Sequence, residues 1–208
     1  MTAGHSTVLD LFDQIQTKAP EYIDLLTADS DSSFESAFVA ILERAVHGLE
    51  SNSKNFQKLD EEGLTAVLAL ALSVPGLTVT QETNSNGHVD LTVTADHCVP
   101  MRRKLGEAKV YDGPEKHLKG LGQLLGRYTT GREGRGLLIS YVKKPGITQY
   151  VSNLRGKMDV DLPLQQQGST KDLPMKWSFL SCHLHSCGEV LEVGHVSCNL
   201  SANDVTTV

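Results

Sequence analysis

The chain has 208 residues, 39% of them apolar and 21% charged, which suffices for one buried core and is too mixed for a disordered polyelectrolyte. No apolar run reaches the roughly 18–20 residues of a membrane span, and Met1-Thr2-Ala3-Gly4-His5 lacks the basic start of a secretory signal. Four cysteines are too few for a disulfide scaffold, so the expectation is a soluble cytoplasmic protein with no membrane partner.

The net charge of −6 conceals an uneven distribution. Residues 1–100 hold 4 Lys/Arg against 15 Asp/Glu, residues 101–157 hold 13 against 4, and residues 158–208 hold 2 against 6. A basic middle between acidic flanks is the kind of local field that steers an anionic partner.

In chain order, short helices are expected at 6–16 and 19–27. The apolar stripe Phe34, Phe38, Ile41, Leu42, Ala45, Val46, Leu49 predicts a long amphipathic helix, with Ser32 and Glu35 spaced as a capping box. That helix could pack on its own core or on a second copy. Residues 51–58 read as a polar connector, so 1–58 form a helical N-terminal extension ahead of a core spanning 59–208. A buried helix over 59–74 stops at Pro75-Gly76, and 77–83 alternates as a strand. Asn84-Ser85-Asn86-Gly87 is a hairpin turn signal, with further strands at 88–95 and 104–111. Asp112-Gly113-Pro114 starts a helix over 115–130, and a buried strand at 134–142 and a helix at 147–158 follow. Residues 163–174 form a loop, and 177–200 form a C-terminal β-hairpin turning near Cys187-Gly188. The order is that of an α/β chain with a mixed central sheet.

Within it, Glu107 and Lys109 lie two apart on one strand and so share a face, and Asp90 on the neighbouring strand can reach them. Two converging carboxylates repel unless a cation neutralises them, which Lys109 does in part and a divalent metal does better. His88, two before Asp90, shares its strand face as a general base or a hydrogen-bonded bystander. The tail holds Cys182-His183-x-His185-x-Cys187 and His195-x-x-Cys198, which invites a zinc site. A hairpin turning near 187 puts Cys182 opposite a residue near 193 and not opposite Cys198. Cys182 and Cys198 also fall in the apolar phase of Leu180, Leu184, Val196 and Leu200, as small core residues would.

Taken together, the motifs Gly-x-x-Asp-Leu (Gly87, Asp90, Leu91) and Gly-Glu-Ala-Lys (residues 106–109), followed by a helix carrying Gln123, resemble the PD-(D/E)XK nuclease superfamily over residues 59–142. The resemblance implies a restriction-endonuclease-like mixed sheet flanked by helices, and a Mg²⁺-dependent endonuclease in which Mn²⁺ can substitute. By similarity Asp90, Glu107 and the Ala108 carbonyl bind the metal, Lys109 orients the attacking water or stabilises the phosphorane charge, and Gln123 joins the catalytic set. Glu62 is the extra acid beside the metal, with Glu61 its one-residue-off competitor. Val89 replaces the name-giving proline, and the spacing Gln123-x4-Tyr128 departs from the Gln-x3-Tyr of some members, so Gln123 alone is carried over.

Phosphodiester cleavage needs a grip on the backbone. The basic block that would supply it comprises Arg102, Arg103, Lys104, Lys116, Lys119, Arg127, Arg132, Arg135, Lys143 and Lys144. Lys116, Lys119, Arg127 and Arg132 are the chief candidates. The implied partner is nucleic acid, DNA before RNA, in restriction, phage defence or DNA repair, with room for a homodimer or an activating protein. The alternatives are a catalytically idle nuclease-fold subunit that binds nucleic acid or assembles with partners, and an interaction module built on a metal-bound Cys/His tail.

Overall fold

The computed structural model describes residues 7–84 and 88–201, with the side chains of 82–84 and 88 outside that description. The expected turn at Asn84-Ser85-Asn86-Gly87 and the side chain of His88 therefore lie outside the described residues.

Helices α1 (Val8–Lys18), α2 (Pro20–Leu26), α3 (Asp31–Ser51), α4 (Ser53–Phe56) and α5 (Glu61–Leu72) precede strands β1 (Thr78–Asn84), β2 (His88–Ala95) and β3 (Arg102–Val110). Helix α6 (Pro114–Gln123) runs into a π-helical turn (Leu124–Tyr128), then come β4 (Gly136–Val142), α7 (Ile147–Asp161), β5 (Lys171–Asp172), β6 (Ser178–Leu184) and β7 (Val190–Asn199). The strands form one mixed sheet ordered β1-β2-β3-β4-β7-β6-β5. β3, β4 and β7 are parallel at its centre and the outer pairs are antiparallel. No helix among the described residues is long and apolar enough to cross a membrane.

Alternation along the strands divides the core in two. One face, with Ala108, Leu137, Ile139, Tyr141, Val196 and Cys198, packs against α3 and α5. The other, with Leu105, Leu138, Phe179 and Val193, packs against α6, the π-helical turn and α7. α3 buries Phe34, Phe38, Leu42 and Leu49 into the chain's own core. Its N-cap is Ser30, whose hydroxyl accepts the Ser33 N–H at 3.2 Å. The expected Ser32/Glu35 box does not form, because the cap falls two residues earlier and Ser32 lies inside α3, while the Glu35 carboxylate pairs with the buried ammonium of Lys104. α1 buries nothing and leaves Val8, Leu9, Leu11, Phe12 and Ile15 exposed.

The C-terminal hairpin registers Cys182 opposite Glu192, one residue from expectation. Val196, Cys198 and Leu200 are buried as expected, but β6 departs from the expected phase, burying Phe179, Ser181 and His183 while Cys182 is half-buried and Leu184 exposed. Hydrogen bonding is the reason. Ser140 Oγ meets His117 Nδ1 at 2.8 Å, and His117 Nε2 meets His195 Nδ1 at 2.8 Å. Ser181 Oγ lies 2.7 Å from both His195 Nε2 and His183 Nε2, and His183 Nδ1 lies 3.1 Å from the Leu164 carbonyl. Three imidazoles are thus buried without a net charge to solvate.

Burial lowers the pKa of all three, pushing His117 down to about 3 and His195 well below its ordinary value. Each binds fewer protons folded than unfolded, so the stability it contributes is present above the unfolded pKa near 6.5 and is lost as pH falls towards the folded value. In Glu107→Gln, which removes the opposing titration of that buried carboxyl, the unfolding free energy from denaturant titrations is expected to hold above pH 7 and to drop progressively from about pH 6.5 to 4, by up to about 1.4 kcal/mol per pH unit per histidine. A flat profile across that window would contradict buried neutral imidazoles.

Candidate functional site

The site begins where two strands part. β2 and β3 pair from Ala95 opposite Arg102 as far as Leu91 opposite Gly106, where a Cβ on Gly106 would stand 3.1 Å from the Leu91 Cβ. Beyond that point, the β3 groups facing β2 find carboxylates in place of backbone. Ala108 N–H donates to Asp90 Oδ2 at 2.9 Å and Val110 N–H to Glu61 Oε2 at 2.8 Å. The other edge of β3 stays paired with β4 through Val110. The result is a fork whose open side is lined by Asp90 of β2 and Glu61 from the first turn of α5.

One ammonium sits among these groups. Lys109 Nζ lies 2.6 Å from Glu107 Oε1, 3.1 Å from Glu61 Oε1 and 3.5 Å from Asp90 Oδ2. Asp90, Glu107 and Lys109 therefore converge, as their strand positions predict. Glu107 is 1% exposed, and its Oε2 is buried with no hydrogen-bond partner. Burial raises the Glu107 pKa to about 7, with the charges of Asp90 and Glu61 adding to it and the hydrogen bond from Lys109 opposing it. Burial alone would depress the Lys109 ammonium, but its bonds to Glu107 and Glu61 and the charge of Asp90 hold it above its ordinary value. Three carboxylates against one close ammonium leave excess negative charge at the fork, where an orphaned carboxylate oxygen would accept a cation.

A helix closes the site from above. A Cβ on Gly120 would stand 3.2 Å from Leu138 Cδ1 and 3.3 Å from Lys109 Cγ, closer than a side chain fits without a small shift, and 3.5 Å from Glu107 Cγ, so α6 lies against both charged side chains. At the end of α6, Gln123 Oε1 is buried and unpartnered. The next turn is π-helical, and Thr129 N–H reaches back to the Leu124 carbonyl at 3.2 Å, an i to i+5 bond. Five residues make about one turn in such a ladder, which brings Tyr128 to the same side as Gln123. Tyr128 is 5% exposed, and its phenol pKa is raised by burial and then by the charges of Glu107 and Asp90. The odd Gln123–Tyr128 spacing, which led the sequence reading to set Tyr128 aside, is absorbed by the π turn.

Comparison with known protein families, with curated proteins and with solved structures finds no match for this chain. The site therefore rests on its own geometry.

The remaining expected residues fall as follows. Glu61, not Glu62, makes the contacts to Lys109 and Val110, while Glu62 is exposed and its carbonyl accepts the Gln81 amide at 3.3 Å. Asp60 decides this by accepting the Gly63 N–H at 2.9 Å, which caps α5 and makes Glu61 its first residue, turned to the open edge of β3. Glu62 still lines the cleft that Asp60, Glu61, Thr65, Gln81 and Asp90 border.

The basic block divides. Arg102 pairs with Asp31, buried Lys104 with Glu35, Arg135 with Glu35 and Glu192, and Lys144 with Asp112. Lys143 donates to the carbonyls of Gln57 and Leu59. These cations serve the fold. Lys116 stands 3.8 Å from Glu61, and Lys119, Arg127 and Arg132 are exposed with no ion pair among the described residues.

In the tail, His183 and His195 are committed to the buried chain, and His185 Nδ1 meets Cys187 Sγ at 3.0 Å on the exposed turn. Among the described residues no group of three or more His, Cys, Asp or Glu is placed to hold a metal ion, the tail included.

Glu107 carries a stability consequence. Its folded pKa lies above the unfolded one, so its contribution is present below about pH 4.5 and is lost as pH rises through about 7. With chelator present, Glu107→Gln is expected to match the wild type near pH 4.5 and to exceed it by about 2–3 kcal/mol above pH 7 in denaturant titrations. The comparison cancels the histidine contribution, which both proteins share. A variant less stable than wild type at pH 8 would mean that the carboxylate is satisfied in the fold.

Proposed function

We propose that this chain is a metal-dependent nuclease of the PD-(D/E)XK type, with a restriction-endonuclease-like sheet, hydrolysing phosphodiester bonds of DNA. The observation that carries the reading is the meeting of Asp90, Glu107 and Lys109 at the β2–β3 fork, with Glu107 Oε2 buried and unpartnered. The donor set suits a hard divalent cation, since Mg²⁺ takes one or two carboxylates and completes its shell with water and phosphate oxygens. Asp90 and Glu107 would hold it, with the Ala108 carbonyl on the same strand edge as the N–H that Asp90 accepts. Bound there, Mg²⁺ or Mn²⁺ supplies Lewis acidity at the phosphoryl group and a water of lowered pKa.

The chain's own residues do the rest. Lys109 stays protonated, and its ammonium orients the attacking water or stabilises charge developing on the phosphoryl oxygens. Glu61 steers that ammonium and keeps it at the fork. By resemblance Gln123, whose buried amide oxygen is unpartnered, would join the catalytic set from the end of α6. Lys116, Lys119, Arg127 and Arg132 hold backbone phosphates on either side, a role that positions the substrate without reading its sequence. By resemblance the setting is restriction, phage defence or DNA repair in the cytoplasm.

The purified protein is expected to cleave DNA with Mg²⁺ or Mn²⁺ and not with chelator. Glu107→Ala should abolish cleavage, as should Asp90→Asn, the cleaner variant because an amide oxygen can still accept the Ala108 N–H. Lys109→Ala should remove most activity yet still bind Mn²⁺ by calorimetry, because an ammonium is no ligand. An active wild type indifferent to Glu107→Ala would overturn the reading. Metal and DNA binding without turnover would instead identify an idle binding subunit.

Affinity for duplex, measured with Ca²⁺ in place of Mg²⁺, should fall with salt at a log–log slope of about −3 to −4, matching four phosphate contacts. A slope near zero would remove the four cations from the interface.

A further inference from the structure

The buried chain Ser140–His117–His195–Ser181–His183 admits only one arrangement of its protons. It ends on the Leu164 carbonyl, which can only accept, so His183 Nδ1 carries the hydrogen and donates at 3.1 Å. A neutral His183 then offers its Nε2 lone pair, and the Ser181 hydroxyl donates to it at 2.7 Å. That uses the one proton of Ser181, so His195 Nε2–H donates to Ser181 Oγ at 2.7 Å. His195 Nδ1 is left to accept from His117 Nε2–H at 2.8 Å, and His117 Nδ1 accepts from the Ser140 hydroxyl at 2.8 Å. Every contact is satisfied and no group is charged. The chain cannot pass a proton along, because the carbonyl at its end has none to give. It holds elements together.

The elements it joins surround the site. Ser140 stands on β4 in register with Lys109 of β3, and His117 belongs to α6, the helix whose Gly120 rests on Glu107 and Lys109. At the far end Leu164 lies in a turn where Leu162, Leu164 and Gln165 have φ of 43°, 53° and 57°, a left-handed backbone unfavourable to side chains with a Cβ. Backbone bonds from Leu184 N–H to the Gln165 carbonyl and from Gln167 N–H to the Cys182 carbonyl tie this turn to β6. The Leu164 side chain then returns to α6, where a Cβ on Gly122 would meet its methyls at 3.8 Å. A closed circuit results, from α6 through β7 and β6 to the turn and back to α6 one residue short of Gln123.

We propose that this one-directional hydrogen-bond circuit sets the seat of α6 over Glu107 and Lys109, making His117, His195, Ser181 and His183 positioning residues for the site. Their effect on turnover rests on the nuclease reading; the circuit itself does not.

Long-range ¹H–¹⁵N spectra of the full chain at pH 7 test the arrangement directly. The expected tautomers are Nδ1–H for His183 and Nε2–H for His195 and His117, with a ¹⁵N–¹⁵N coupling across the hydrogen bond between the last two. An Nε2–H His183, or any of the three titrating between pH 5 and 8, overturns the proposal.

Ser181→Ala removes the central hydroxyl, and Ser181→Thr keeps it. In Ser181→Ala, amide exchange in α6 and in the 162–166 turn should speed up tenfold or more, and kcat for Mn²⁺-dependent cleavage should fall about tenfold with KM within twofold. Ser181→Thr should restore both. Faster exchange confined to β6 and β7 would show a merely local role and overturn the proposal. If the tautomers and exchange come out as expected but the wild type cleaves nothing, the nuclease reading fails and the circuit stands.

Discussion

The arrangement at the fork depends on one cation held among three anions. The Lys109 ammonium reaches Glu107, Glu61 and Asp90 together, and those carboxylates come from β3, α5 and β2. Two of them also replace missing ladder partners, Asp90 on the Ala108 N–H and Glu61 on the Val110 N–H. The fork can stay open because its orphaned N–H groups are taken by side chains, and it stays negative because one ammonium cannot balance three carboxylates. Glu107 bears the excess, being the most buried and the one with an unpartnered oxygen. Electrostatic tension of this sort is unfavourable in an apoprotein and is commonly kept where a ligand relieves it.

The same sheet face carries a second polar system of opposite character. From Ser140 to Leu164 all groups are neutral and all are paired, so the low dielectric that penalises Glu107 strengthens these hydrogen bonds. The two systems are adjacent through the register of Lys109 and Ser140. One leaves a buried carboxylate oxygen unpartnered. The other is fully satisfied and rigid, and α6 is the element they share.

Charge along the sequence also resolves into two populations. The basic block facing the acidic N-terminal helices is largely spent on them, through Arg102 with Asp31 and Lys104 with Glu35, so part of the asymmetry is glue between α3 and the sheet. Lys119 of α6, Arg127 of the π-helical turn and Arg132 of the following loop are exposed and make no ion pair among the described residues. A block net charge counts both populations alike, which is why it overstates the surface field.

The sequence by itself determined the main helices and strands and the meeting of Asp90, Glu107 and Lys109, but not the short helix α4 in the expected connector or the edge strand β5 in the expected loop. Period-2 and period-3.6 patterns, turn residues and the i, i+2 rule are local properties that survive without knowledge of the fold. Tertiary structure alone decided that Glu61 and not Glu62 reaches Lys109, since that turns on where Asp60 caps α5 relative to a strand edge 49 residues away. It also decided that the extra residue between Gln123 and Tyr128 is taken up in a π turn, with Tyr128 buried. The buried histidines were legible as residues but not as a chain: His117 and His195 lie 78 positions apart, and their hydrogen bond exists only because α6 packs on β3 and β4 within reach of β7. The sequence pattern marked Cys182 as core and gave no role to Ser181. Hydrogen bonding reversed that, because a buried hydroxyl between two imidazoles is satisfied only where β6 and β7 lie side by side.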